Sequence, residues 1–181
     1  MDQTHSNKKG SRLRFNFGFL LEASLGTSRD IEINYPTIRV SDDLVLTPLQ
    51  GKFQAVRTSE GIYLAGRFNS VVETDCVRCL SDVRVPITFQ VEELFNYPPS
   101  TAPAGESVVG EDGFIDLAPI VRDLSLLEVP IQVFCRPDCK GLCSECGQNF
   151  NEGDCDCEKD DVDPRFATLQ ALLNGSGGHE A

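Results

Sequence analysis

Between residues 12 and 95, apolar and polar positions alternate in short runs rich in β-branched and aromatic side chains, and turn residues separate the runs. That period of two is the signature of half-buried strands. Residues 14–21 open the series, and RDIEINY at 29–35 puts Ile31, Ile33 and Tyr35 on one face. Residues 44–57 carry Leu44, Leu46, Leu49, Phe53 and Val56, with Pro48 and Gly51 in their middle, so two strands or one strongly bent strand are expected there. Thr58-Ser59-Glu60-Gly61 reads as a hairpin turn, after which alternation returns through 62–73 and again through 83–94. Five to seven antiparallel strands joined by tight turns make a small barrel or sandwich.

The period then changes. Residues 96–112 are rich in Pro, Ser, Gly and acids and read as a mobile loop. From Asp116 the apolar residues Leu117, Ile120, Val121, Leu124 and Leu127 recur at three- and four-residue intervals, which predicts a helix over 116–128 with Asp116 as its N-cap and Pro119 in its first turn. Asp163-Pro164 predicts the start of a second short helix, with Phe166, Leu169, Leu172 and Leu173 on one face. The fold class expected is α+β, mainly β: a small antiparallel barrel or sandwich, one or two short helices and a C-terminal cysteine-rich knob. Residues 1–11 and 174–181 read as disordered ends, 12–134 as the β-rich domain and 135–173 as the knob with its helix.

The cysteines add chemistry to this outline. Six of the eight fall between residues 135 and 157. Cys143-x-x-Cys146 followed by Cys155-x-Cys157 supplies four thiolates at ligand spacing, enough to close a tetrahedron around a zinc ion at roughly 2.3 Å. Gly141 and Gly147 suit turns that need positive φ. A disulfide cluster would belong in a secreted protein. A redox C-x-x-C would open a helix, whereas Gly147-Gln148-Asn149 opens a turn. Cys76 and Cys79 form a second C-x-x-C at a hairpin tip, read either as two semi-buried cysteines of a turn or as half of another metal site. Together with the leftover Cys135 and Cys139 they would complete that second set.

Composition and charge narrow the function. An apolar share of 40% is ordinary for a folded domain, and the formal net charge is −12. Four thiolates on one zinc keep about −2 and add to the acidity. Such a surface repels phosphate backbones and favours basic proteins. The acidic run around the knob, with Glu152, Asp154, Asp156, Glu158, Asp160 and Asp161, is the candidate contact surface. A catalytic zinc needs an open position and commonly a histidine or carboxylate ligand, and both histidines, His5 and His179, sit near the chain ends. A non-enzymatic protein is expected. No apolar run is long enough to cross a bilayer, and the patch after Arg14 is too interrupted for a signal peptide, so a cytoplasmic location is expected.

At this point several stretches coincide with one family. CRPDCKGLCSECGQNFNEGDCDC followed by VDPRFATLQALL, preceded in order by FGFLLEASLGTSRDIEI, GIYLAGRFNSVVETDCVRCL and GFIDLAPIVRDLSLLEVPI, resembles the DUF177 or YceD-like family of bacteria and plastids over nearly the whole chain. The resemblance implies a role in accumulation of large-subunit (23S) ribosomal RNA, hence in ribosome biogenesis, with no enzymatic activity established. Joined to the charge, it implies a basic ribosomal protein or assembly factor as partner. The alternative is direct RNA binding through the knob, with Arg78, Arg136, Lys140 and Arg165 on phosphates.

Overall fold

The alternating segments pair into one long-stranded antiparallel sheet. A computed structural model describes residues 13–157 and 164–166. Its strands are β1 (Arg14–Asn16), β2 (Ser28–Tyr35), β3 (Ile38–Arg39), β4 (Val45–Arg57), β5 (Gly61–Asp75), β6 (Asp82–Asn96) and β7 (Phe114–Asp116), with helices α1 (Gly18–Leu21) and α2 (Ala118–Glu128). The main sheet runs β2-β4-β5-β6, β3 adds to β4, and β1 pairs with β7 in a separate two-stranded ribbon. The two ends of the main sheet do not meet, so it is open and not a closed barrel. The chain divides into two compact units, Met1–Pro137 and Asp138–Ala181.

The first unit holds the apolar core. Ile33, Gly51, Phe68 and Phe89 face one another across four strands, and the Phe68 ring lies 5.9 Å from Phe53 and stacks on Phe89 at 5.4 Å between centroids. Rings at these separations gain more than their buried area alone supplies. Glycines opposite the phenylalanines leave them room: a Cβ on Gly66 would stand 2.3 Å from Phe53 Cβ and 2.6 Å from the Lys52 carbonyl oxygen. Gly66→Ala should therefore destabilise the first unit by about 1–3 kcal/mol, the range for overpacking; chemical denaturation at equilibrium measures it, and an unchanged midpoint contradicts it.

Several local departures from the sequence expectations have physical causes. Residues 14–21 are not one strand, because Asn16 Oδ1 accepts the Gly18 N–H at 2.9 Å and turns the chain into a single helical turn that buries Phe17 and Leu20. Residues 45–57 form one strand, with the register shift between Leu46 and Leu49 where Pro48 sits. The predicted turn at Thr58 closes with Thr58 N–H donating to the Gly61 carbonyl at 2.9 Å. Residues 96–112 are not a free loop: Val109 N–H donates to the Asn96 carbonyl, Asn96 N–H to the Ser107 carbonyl, and Val109 is buried.

Helix α2 packs against β6. It begins two residues later than predicted, and Asp116 Oδ1 accepts the Ala118 N–H at 2.9 Å from just outside. Its inward face is Leu117, Ala118, Val121 and Ser125, so Leu127, expected on the apolar stripe, is instead 79% exposed. Arg122 forks onto Asp43 in the turn before β4, tying the helix to the sheet. Of the helix predicted after Asp163, only a 3₁₀ turn, Pro164–Phe166, falls within the described residues; Leu169, Leu172 and Leu173 lie outside them. No helix among the described residues is long and apolar enough to cross a membrane.

Candidate metal centres

The turn between β5 and β6 is built to present two sulfurs. Cys76 N–H donates to the Ser81 carbonyl and Leu80 N–H to the Cys76 carbonyl, both at 2.9 Å, and Leu80 takes φ 56° to complete the turn. Val77 N–H donates to the Val133 carbonyl at 2.9 Å, which lays residues 133–135 along the turn. As a result Cys79 Sγ is 3.5 Å from Cys135 Sγ and 2.9 Å from Ser81 Oγ. The sulfurs of Cys76, Cys79 and Cys135 lie within 4.8 Å of one another, with Cys76 and Cys79 buried and Cys135 exposed. All three belong to the first unit. Cys139, four residues after Cys135 in the chain, belongs to the second, where it is 2% exposed and its Sγ accepts the Asn151 Nδ2–H at 3.3 Å.

The second unit repeats the device. Cys143 N–H donates to the Gln148 carbonyl at 2.8 Å and Gly147 N–H to the Cys143 carbonyl at 3.0 Å, with Gly147 at φ 74°. Phe150 N–H reaches the Gly141 carbonyl, and Gly141 has φ 83°. Both glycines thus hold the left-handed conformations that their positions require. A turn through Asn149 and Glu152 returns the chain, and the sulfurs of Cys143, Cys146, Cys155 and Cys157 come within 4.8 Å of one another. None of the eight cysteines is in a disulfide.

Electrostatics tests whether a cation suits these groups. Burial pushes the Cys76 thiol up, but the amide N–H groups of Cys135, Arg78 and Cys79 directed at its sulfur outweigh burial and bring it down to about 6. The amides of Cys146 and Glu145, helped by the Cys155 thiol, bring Cys143 down to about 7. The other members of that set move the opposite way. The Cys157 amide favours the Cys155 thiolate, yet Cys143, burial and Cys146 raise Cys155 on balance. Proximity to Cys146, burial and Cys155 push Cys157 up to about 12. One thiolate is welcome in this cluster and further ones repel it, so four can ionise together only around a cation. Sulfurs ligating one zinc at roughly 2.3 Å stand about 3.8 Å apart, and the observed crowding fits such a set.

Four-thiolate sets are the closed kind, with no coordination position left for a water or substrate. The amide donors and Asn151 are contributions that ligand spacing alone did not reveal; for Asn151 the only sequence signal was the asparagine-rich turn after Cys146. Glu152, Asp154 and Asp156 are exposed on the segment leading to and between Cys155 and Cys157, while Glu158, Asp160 and Asp161 lie outside the described residues. Arg78 covers the Phe134 ring at 4.7 Å and Arg136 is exposed in the first unit; Lys140 and Arg165 are exposed in the second.

Comparison with known proteins agrees on one family. The family model described as large ribosomal RNA subunit accumulation protein YceD matches residues 64–173, more than half of the chain. An uncharacterised protein of Mycobacterium tuberculosis is 37% identical over 119 residues, covering 64% of this chain and 57% of its own length. The uncharacterised protein YlbN of Bacillus subtilis is 31% identical over 145 residues, covering 79% of this chain and 84% of its own. A chloroplastic protein of Arabidopsis thaliana, named as a YCED homolog for large ribosomal RNA subunit accumulation, is 26% identical over 156 residues, 70% of this chain and 49% of its own. The match thus spans little more than half the length of the mycobacterial relatives. No solved structure matches the chain.

Proposed function

Because this chain belongs to the YceD family of large ribosomal RNA subunit accumulation proteins, we propose that it is a non-enzymatic factor of large-subunit biogenesis that supports accumulation of 23S ribosomal RNA by holding a basic ribosomal protein or assembly factor in the cytoplasm. The net charge of −12 carries the choice of partner. An acidic surface is repelled by phosphates and accelerates encounter with basic proteins, which at the same time are kept from wrong RNA. Exposed Glu152, Asp154 and Asp156, continued in sequence by Glu158, Asp160 and Asp161, are the candidate contacts in the second unit.

Zinc is the cation that all-sulfur sets of this spacing favour, and its role here is structural. Cys143, Cys146, Cys155 and Cys157 take one ion. The second set read from the sequence is Cys76, Cys79 and Cys135 with Cys139, four residues after Cys135 in the chain. Replacing Cys76 and Cys79 together by serine should lower bound zinc from two ions per chain to one, read by elemental analysis of the purified protein. Unchanged zinc content removes the second site.

The partner is tested by titrating the chain with basic large-subunit ribosomal proteins and with naked 23S ribosomal RNA at several salt concentrations. Tight, salt-sensitive binding of a basic protein and none of RNA is expected. Tight RNA binding with no protein binding reverses the proposal. In cells, deleting the gene should lower 23S ribosomal RNA relative to 16S.

A further inference from the structure

The two C-x-x-C turns of this chain share one hydrogen-bond pattern but differ in the residue that follows the second cysteine. In each, the residue after the second cysteine is left-handed: Gly147 at φ 74° and Leu80 at φ 56°. That conformation crowds the Cβ of any side chain against the backbone, and glycine is the usual solution. Space does not decide the matter, since a Cβ at Gly147 would meet nothing within 4 Å. Yet the first turn carries a leucine whose side chain is 65% exposed. The left-handed backbone completes the turn, but the leucine side chain buries little there, so a leucine in place of glycine points to use outside the fold.

The surroundings of Leu80 say what that use is. Val77 in the same turn is 50% exposed, and its N–H is bonded to the Val133 carbonyl, which brings Phe134 (36% exposed) beside the turn, while Ile131 on the preceding segment is 98% exposed. Arg78 lies over the Phe134 ring at 4.7 Å, fixing that ring against the turn. Val77 and Leu80 are exposed on the β5–β6 turn itself, Phe134 is held to that turn through Arg78, and Ile131 is exposed on the segment leading to it. Directly behind the turn, Asp75 and Asp82 stand opposite each other in register. Like charges in that position destabilise a sheet. Two rungs on, by contrast, Glu73 pairs with Arg84 at 3.7 Å. Neither Asp75 nor Asp82 has a hydrogen bond or ion pair with another described side chain. A cation placed between them from outside would relieve the repulsion.

We infer that Val77, Leu80, Ile131 and Phe134, with Asp75 and Asp82 behind them, form a docking surface for a basic protein that inserts an apolar side chain beside a lysine or arginine. A second copy of this chain fits poorly. Each copy carries −12 and would repel its like, as a basic protein would not. RNA fits poorly as well, because two adjacent carboxylates repel phosphate. This inference rests on the proposed basic partner and places that partner's contact in the first unit.

Binding and stability separate the ideas. Proteins extracted from large ribosomal subunits are fractionated, identified and titrated one by one against the full chain and its Leu80→Gly and Ile131→Ser variants. Expected is at least a tenfold weaker Kd for a basic member in both variants, while the melting temperature of Leu80→Gly is unchanged or raised because the turn is relieved. Asp75→Asn with Asp82→Asn should flatten the salt dependence of that Kd. A basic protein bound equally by wild type and both variants overturns the docking surface and leaves the partner reading intact. No basic protein bound by wild type overturns both. Affinity for ribosomal RNA, or self-association in sedimentation, that is lost in Leu80→Gly replaces the stated occupant and overturns the inference.

Discussion

Cys143→Ser should unfold residues 138–157 almost completely. Among the described residues of the second unit, the only buried apolar side chains are Cys139 and Cys143. A segment that short, with no aliphatic or aromatic core of its own, cannot offset the conformational entropy of ordering its loops. What remains is the proposed zinc, whose binding contributes about 10–16 kcal/mol at pH 7 in small zinc modules and is in effect their folding energy. Serine at Cys143 removes a ligand whose amide donors hold its sulfur near ionisation, and with it most of that energy. The amide resonances of residues 140–157 should collapse to random-coil positions, and a strong chelator should produce the same spectrum in wild type. A variant whose resonances stay dispersed would show that the unit is held by its hydrogen bonds and not by an ion.

Phe68→Ala should cost the first unit about 3–5 kcal/mol, the range for removing a buried ring that leaves a cavity. Phe68 is fully buried, contacts the rings of Phe53 and Phe89, and faces Gly51 across β4. Glycine there has no side chain to fill the space left behind. A domain stable by 5–15 kcal/mol would lose a large part of its margin. Leu127→Ala, on the exposed side of α2, should change stability by no more than about 0.5 kcal/mol. Equilibrium urea denaturation of both variants decides, and equal shifts would mean that the core is not where Phe68 lies.

The sheet was legible because alternation survives through β2, β5 and β6, where one face is buried and the other wet. The hairpin at Thr58 was legible from turn residues alone. What the pattern could not give were features decided by single side-chain hydrogen bonds. Asn16 turns a run of apolar residues into α1, and Asp116 caps α2 from one position farther out than expected. Leu127 fits the helical period but faces outward, while Ser125 is buried and Val129, just after the helix, packs on the core. The tie between Asn96 and residues 107–109 holds a Pro- and Gly-rich segment whose composition reads as a loop.

The cysteine sets divide in the same way. Cys143, Cys146, Cys155 and Cys157 are close in sequence, so spacing alone brings them together. The approach of Cys135 to Cys76 and Cys79 spans 56 residues from Cys79 and depends on the backbone bond between Val77 and Val133. Only the count of unassigned cysteines hinted at it. Leu80, at the centre of the inferred docking surface, gave no sign in the sequence, because its left-handed backbone appears only in the folded turn.

The metal content of the native chain tests most directly whether closed, all-thiolate zinc sites hold the cysteine-bearing turns in place. Elemental analysis of protein purified without added metal, joined to thiol titration before and after chelation, should find two zinc ions per chain and cysteines that react with a thiol reagent only once zinc is withdrawn. A metal-free chain whose residues 138–157 are folded and whose thiols react at once would contradict it.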